Sequence, residues 1–578
     1  MAADEPIPIF TTVQDAHPIP AIAAREADRY NQLTEHYKSL FGHLPKYIAR
    51  APGRVNIIGE HIDYALFGVC PMAVEQDVLI ACGPRSTNDN DYGHVQARNL
   101  QPKYTPQNFK PVLKTSSSTT DGEEDAVHIS EDPSVSRNVQ WHLDIDKTQL
   151  RWESYVKAGY YGVLERFFSQ TPDALPPRPV DLLVTGSVPA GSGLSSSAAM
   201  VVASTLAFLS VNDKLSSGPH GKQLTKGELV EMAVENEKRV GVNSGGMDQA
   251  ASVTSLPTSA LYISFFPTFS VEPVALPITR TSPKAVFVCA NSLVISDKVV
   301  GAKTRYNLRV VETLVSARIL ARILNLTTLL SPSYPNKKFT LREVLSAFLG
   351  VPEFKGKQEP ALTPEQVEEG LVRLLKETGR LKGSMLRGDY DPRGGEEDIV
   401  GDAGKEEGIT LEEMVHFSGL NEAEFKDVYL SWVNVEATYF QLYKRTKHVF
   451  SEALRVLRLR SLCLALDKET TLPEDTLSRL GGLMNASQAS CSELFECSCP
   501  ELDQLTGLAR AAGAYGSRLT GAGWGGCTIS LVAADRVEEF IATLRQTYEP
   551  YKKLSDEALK EIVFATQPSN GAFVFKVE

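Results

Sequence analysis

"VDLLVTGSVPAGSGLSSSAAMVV", residues 180–202, passes from one kind of segment to another twice without a break. Val180–Val188 is an apolar, β-branched run suited to a buried strand, and from Ser195 onward three serines lead into a strongly apolar helical run. Gly191 and Gly193 stand between the two. A strand that turns through glycines into a helix is the arrangement of a phosphate loop. Glycines let a ligand approach the backbone, and the free amides and dipole of the first helical turn attract an anion. Gly186 and Gly191 keep the spacing of the G-x-x-x-x-G-K-[ST] pattern, but Ser192 and Gly193 occupy the places of its lysine and its Ser or Thr. A phosphate bound here therefore needs positive charge from elsewhere. Taken alone, the pattern fits a serine-rich cap on a core helix equally well.

The surrounding chain mixes strands and helices throughout. "KGELVEMAVENEKRVG" (226–241) reads as an amphipathic helix stopped by Gly241, "GCTISLVAADRVEEFIATLRQTY" (526–548) as a strand then a helix, and "GAFVFKV" (571–577) as a closing strand. Such interleaving predicts an α+β fold. At 578 residues the chain exceeds a single compact core, so two domains are expected, 1–285 and 286–578. Residues 114–137 and 379–408, rich in acids, Ser, Thr and Gly, are expected to be mobile surface insertions.

Composition excludes several classes. With 42% apolar, 22% charged and 8% aromatic residues the chain has the make-up of a soluble globular protein. A net charge of -12 argues against a general nucleic-acid binder, though not against a phosphate held by backbone amides. No window is long and apolar enough for a membrane span, and the N-terminus lacks the pattern of a signal peptide. The eight cysteines are too sparse for a disulfide scaffold, and Cys491, Cys497 and Cys499 lack zinc-site spacing. Reduced thiols and a cytoplasmic location are expected.

Three further segments carry chemistry. "APGRVNIIGEHIDYALFGVCPMAVEQD" (51–77) crowds Arg54, Glu60, His61 and Asp63 between apolar runs, which is costly in a core strand and natural for a site that hydrogen-bonds a polyhydroxy ligand. In "GVNSGGMDQAAS" (241–252), Asp248 follows a glycine turn; it reads as a helix cap or, beside a cation such as Arg54, as a carboxylate acting on a substrate hydroxyl. "RLTGAGWGGCTISLV" (518–532) satisfies G-x-G-x-x-G at Gly521, Gly523 and Gly526. Its glycines precede a strand, whereas the dinucleotide fingerprint follows a strand and opens a helix. It is expected to pack against a ligand or against the other domain.

Together these motifs resemble those of a known family. "GRVNIIGEHIDY" resembles the galactokinase signature, "PAGSGLSSSAA" the ATP loop of the GHMP small-molecule kinases, and "GSRLTGAGWGGCTISLV" their third, glycine-rich motif, with "GGMDQ" in its proper place between. The resemblance covers residues 46–578 apart from the two insertions. It implies a two-domain GHMP kinase fold with the active site in the interdomain cleft, ATP and Mg²⁺ as cofactors, and a galactose-type sugar as phosphoryl acceptor. It also implies residue roles. Asp248 would face the anomeric hydroxyl as general base or electrostatic partner, and Arg54 would orient it and neutralise the transferring phosphoryl group. Glu60, His61, Asp63, Tyr306 of "TRYNLR" and the backbone of Gly245 and Gly246 would bind sugar hydroxyls. Pro189, Gly191, Ser192, Gly193, Leu194, Ser195, Ser196, Ser197 and Ala198 would form the nucleotide loop, and Ser197 and Glu237 would hold Mg²⁺.

His61-Ile62-Asp63-Tyr64 departs from the "HTDY" of many galactokinases. "PMAVEQD", "AGWGG" and "ECSCPELD" resemble the branch that holds fungal galactokinases and animal N-acetylgalactosamine kinases. Chain length and insertions lean to the fungal type. In fungi, proteins resembling galactokinases also act as galactose sensors that sequester a transcriptional repressor, so a regulatory protein partner is a further alternative. The intact serine loop and Asp248 imply catalysis.

Overall fold

The computed structural model describes residues 2–85, 91–116, 138–146, 151–168, 176–216, 222–241, 245–296, 301–331, 334, 338–351, 362–388 and 408–577. Strands β1 (Ile9–Phe10), β2 (Tyr47–Ile58), β3 (Cys70–Pro84), β4 (Val95–Asn99), β5 (Gln107–Phe109) and β8 (Val180–Gly186) belong to one seven-stranded sheet. Its seventh member is β15 (Phe573–Lys576), giving the order β1-β15-β2-β3-β8-β4-β5. The apolar run Val180–Gly186 is β8, which is antiparallel to β3 and parallel to β4. Its first five residues are buried because helices cover the sheet. The closing strand β15 returns to this first sheet rather than to the second one, between β1 and β2.

Between these strands run β6 (Val112–Ser116), β7 (Asn138–His142) and a hairpin of β9 (Ser259–Ser264) and β10 (Ser270–Ala275). The second sheet is antiparallel, in the order β12 (Gly516–Thr520), β13 (Cys527–Ala533), β11 (Ala285–Asn291), β14 (Val563–Thr566). Every residue of β12 and β13 is buried.

The helices that build the site are α1 (Trp152–Phe167), α2 (Ser196–Val211), α3 (Lys226–Glu237), α4 (Met247–Thr254), α5 (Tyr306–Ile323), α6 (Leu442–Asp467) and α7 (Thr476–Ser490). α2 is apolar all round and buried nearly throughout, since it lies on β2 and β3 beneath α1 and α3. α3 starts with a Thr225–Glu228 capping box and, through a short 3₁₀ turn, ends at the left-handed Gly241.

Of the expected insertion 114–137, residues 117–137 lie outside the described residues, while 114–116 form the end of β6 paired with β7. Of the second, 389–407 lie outside them. Residues 379–388 are structured, contrary to expectation: they complete a 3₁₀ turn and a short helix, Gly383–Arg387. The reason is local, since Leu381 is fully buried and Arg387 makes two bonds to Glu413. All eight cysteines are free. No helix among the described residues is long and apolar enough to cross a membrane.

Candidate active site

The two sheets meet at the end of β2. Antiparallel pairing of β2 with β3 is interrupted between Pro52 and Arg54 and again between Asn56 and Ile58. Irregularities of this kind re-aim side chains. Across the junction, the Asn56 amide donates to Thr520 Oγ1 at 2.8 Å, and the Arg518 guanidinium donates to the Asn56 carbonyl at 2.7 Å. Arg54 lines two cavities here, a large one and a narrow one.

The large cavity, about 440 Å³, has one wall of Ala190, Gly191, Gly193 and Ser195–Ser197 and another containing Tyr104, Trp152 and Tyr155. Gly191, Gly193 and Ser195 all adopt left-handed backbone angles, φ +69°, +75° and +60°. For Ser195, which carries a Cβ, that conformation costs about 1–2 kcal/mol. Its hydroxyl does not cap α2, and it is buried with no hydrogen-bond partner. The bland alternative, a serine cap, is therefore absent at this helix. Strain and an orphaned hydroxyl beside open first-turn amides suit an anion that would complete them. Ser192, Leu194 and Ala198 are buried and support the loop from below; the Ser192 hydroxyl is spent on the Pro189 carbonyl. Neither they nor Pro189 line the cavity. The aromatic wall fits a flat, largely apolar group such as a purine. Sequence reading missed it, because these residues flank loops that match no motif.

The glycines of 518–532 do lie in the hairpin turn between β12 and β13 and pack against the phosphate-type loop. A Cβ on Gly521 would come within 2.3 Å of the Gly193 carbonyl oxygen. Only glycine permits that approach.

Asp248 sits in the first turn of α4, preceded by Gly246 at φ +104°. It is no side-chain cap. Its Oδ1 accepts from Arg54 Nε at 2.8 Å and from the terminal amine at 2.6 Å, while the other Arg54 amine donates to the Gly193 carbonyl at 2.8 Å. Arg54 and Asp248 are 1% and 4% exposed, so a charge pair excluded from water joins the loop to the narrow cavity.

The narrow cavity is lined by Arg54, Glu60, His61, Asp63, Met247, Asp248, Tyr306, Gly521 and Ala522. Every acidic or basic group named for a sugar is thus brought to one place. His61 has both ring nitrogens engaged: Nε2 donates to the Ala522 carbonyl at 2.8 Å and Nδ1 pairs with the Tyr64 hydroxyl at 3.2 Å. It lines the narrow cavity packed against Tyr306, Phe495 and Trp524. Gly245 backs Asp63 so closely that a Cβ would lie 2.4 Å from the carboxylate. Tyr306 opens α5, and burial, with Asp63 and Asp248 nearby, keeps its phenol protonated.

Burial pushes the Glu60 carboxyl up to about 7 despite Arg518, which pairs with it at 3.0 Å. Arg518 stands inside the third motif, yet nothing in its spacing foretold a role. Glu237 is buried with one oxygen bonded by the Gln249 amide and lines neither cavity. Among the described residues no three metal-ligating side chains cluster.

Residues 35–84 match the model of the galactokinase galactose-binding signature, residues 154–255 the GHMP kinases N-terminal domain and residues 470–550 the GHMP kinases C-terminal one. Over 563 residues the chain is 33% identical to a galactokinase of Saccharomyces cerevisiae, covering 95% of each. It is 34% identical over 563 residues to a galactokinase of Dictyostelium discoideum, covering 94% of each. The solved Lactococcus lactis galactokinase, in complex with galactose, superposes with a TM-score of 0.51 at 20% identity, over 94% of this chain and 99% of that one. That last likeness is one of fold.

Proposed function

This chain belongs to the galactokinase family of GHMP kinases, and from that premise we propose that it transfers the γ-phosphoryl group of ATP to the anomeric hydroxyl of galactose, giving galactose 1-phosphate. The observation that carries the reading is the Arg54–Asp248 pair, both of which line a narrow cavity rich in hydrogen-bonding groups while Arg54 also lines the glycine- and serine-walled one. The first cavity would take ATP, with the purine against Tyr104, Trp152 and Tyr155 and the phosphates on the loop. The second would take the sugar.

Phosphoryl transfer asks for alignment and charge neutralisation rather than covalent help from the protein. Asp248 would accept the proton of the anomeric hydroxyl as its oxygen bonds to the γ-phosphorus, while the bond from phosphorus to the β,γ-bridging oxygen breaks and its electron pair leaves with ADP. Arg54 would hold Asp248 in line and, with the loop amides, take the place of the absent P-loop lysine. Glu60, Asp63 and the Gly245–Gly246 backbone would select sugar hydroxyls. Ser197, in the wall of the nucleotide cavity, would hold Mg²⁺ together with the substrate phosphates, and bound Mg²⁺ would supply charge neutralisation; Glu237, the carboxylate that the resemblance pairs with Ser197, lines neither cavity and is bonded by the Gln249 amide. A cytoplasmic location accords with the free cysteines.

The test is ATP-dependent phosphorylation of galactose and N-acetylgalactosamine measured side by side, with Asp248→Asn as control. Galactose should have the higher kcat/KM, and the substitution should remove it. Preference for the N-acetyl sugar would reassign the substrate. Binding of galactose and ATP without turnover would assign the sensor role instead.

A further inference from the structure

The turn at Gly59–Glu60 ends β2 and brings the Glu60 carboxylate to the narrow cavity. It is held almost entirely from the far end of the chain. The Gly59 and Glu60 amides both donate to Glu452 Oε1, at 2.8 and 3.2 Å, and Ser487 Oγ donates to the same oxygen at 2.7 Å. Glu452 Oε2 accepts from Arg455 at 2.7 Å. The Glu60 carbonyl accepts from His448 Nε2 at 3.0 Å, and His448 Nδ1 meets the Ser490 hydroxyl at 2.9 Å. His448 and Glu452 lie one turn apart on the same face of α6, and both are fully inaccessible to water.

Burying a carboxylate this deeply is costly unless its lone pairs are filled, and here donors fill them. Although burial opposes it, Arg455, Arg518 and His448 hold the Glu452 carboxyl down at about 2. Burial lowers His448 to about 4, so the imidazole is neutral, donating through one nitrogen and accepting through the other. A core helix needs no such anion for its own sake. Its acceptor oxygen is occupied by the main chain of the turn that carries Glu60, His61 and Asp63.

We propose that Glu452, assisted by His448, is a positioning residue for sugar recognition: from α6 it fixes the Gly59–Glu60 backbone and thereby the placement of the sugar-binding side chains. The proposal rests on reading the narrow cavity as the sugar site. It makes galactose binding depend on the docking of α6 against β2, while the nucleotide loop, carried by β8 and α2, meets β2 at Arg54 rather than at the Gly59–Glu60 turn.

The experiment measures galactose and ATP binding separately by calorimetry, and both KM values by steady-state kinetics, on the full-length protein and on Glu452→Gln. A misplacement near 1 Å can cost a reaction that depends on alignment about 10²-fold. Glu452→Gln is therefore expected to weaken galactose binding and raise its KM roughly ten- to a hundredfold, leaving ATP within twofold. A residue needed only for folding would lower the melting temperature and the active fraction without separating the two ligands; equal effects on both, or none on galactose, overturn the proposal. If Glu452→Gln does not fold, Ser487→Ala removes one donor from the same oxygen and is measured in the same way. It should raise the galactose KM a fewfold, and an unchanged value overturns the proposal. If the unsubstituted protein binds ATP but not galactose, the sugar-site reading falls, and this proposal with it; if it phosphorylates galactose and the variants behave alike, only the proposal falls.

Discussion

Arg54→Lys tests the centre of the proposed mechanism because it retains the charge and removes the geometry. Arg54 uses its three nitrogens in three contacts: two to Asp248 Oδ1 and one to the Gly193 carbonyl, at 2.6–2.8 Å and 1% exposure. A lysine ammonium is a single point on a flexible stem and cannot span both partners in the manner of the guanidinium fork. If it keeps Asp248, the Gly193 carbonyl is left unpaired in a half-buried loop, at a cost of about 1–3 kcal/mol. If it keeps Gly193, a charged hydrogen bond to Asp248 worth about 1.5–3 kcal/mol is lost.

Either way one of the two contacts is lost, and about 1–3 kcal/mol of transition-state stabilisation goes with it. At 1.36 kcal/mol per tenfold this is a fall in kcat of roughly one to two orders of magnitude. The assay is ADP release at saturating galactose and ATP, normalised to folded protein by thermal denaturation. A kcat within threefold of the unsubstituted enzyme would refute the reasoning, because it would mean that charge alone suffices and that the fork contributes nothing.

Other outcomes follow from close contacts and from titration. Gly245→Ala places a methyl 2.4 Å from Asp63 and 2.7 Å from the Tyr64 amide; the galactose KM should rise about tenfold or more with ATP unaffected, as measured by two-substrate kinetics. Gly521→Ala, at φ +89° and 2.3 Å from the Gly193 carbonyl, should displace the phosphate-type loop, raise the ATP KM and cost about 1–3 kcal/mol of stability, read by kinetics and urea melts. With Glu60 titrating near 7, the carboxylate is ionised above that pH and protonated below it. The galactose KM should then be flat above pH 7 and rise as pH falls, with the ATP KM level, in a pH series of initial rates. Because this folded-state value lies above the ordinary 4.5, the stability contribution of Glu60 is full below 4.5 and is lost as pH rises towards 7. The difference in melting temperature from Glu60→Gln should change across that window.

Much of this was legible in local sequence. Val180–Gly186 and Ser196–Val211 form the expected strand and helix because β-branched and continuous apolar runs need burial, and glycines at 191 and 193 allow the turn between them. The position of 521–526 before a strand sufficed to exclude a dinucleotide fingerprint, and the hairpin between β12 and β13 accords with that. Arg54, Glu60, His61 and Asp63 stood out because polar groups so dense between apolar runs need partners.

Beyond the Arg54–Asp248 pairing and the packing of 518–532, what lay outside sequence depends on distant segments meeting. Tyr104, Trp152 and Tyr155 form one wall only because the segment between β4 and β5 packs on the start of α1, where Trp152 Nε1 donates to the Thr105 carbonyl at 3.2 Å. Arg518 reaches Glu60 across 458 residues, and Glu452 reaches the Gly59 amide across 393. A local pattern determines which backbone conformations are cheap and which faces must be buried, since those preferences arise within a few residues. Which carboxylate stays charged, which imidazole stays neutral and which hydroxyl is left to a ligand depends on desolvation and on partners supplied from elsewhere, and these the tertiary structure alone decided.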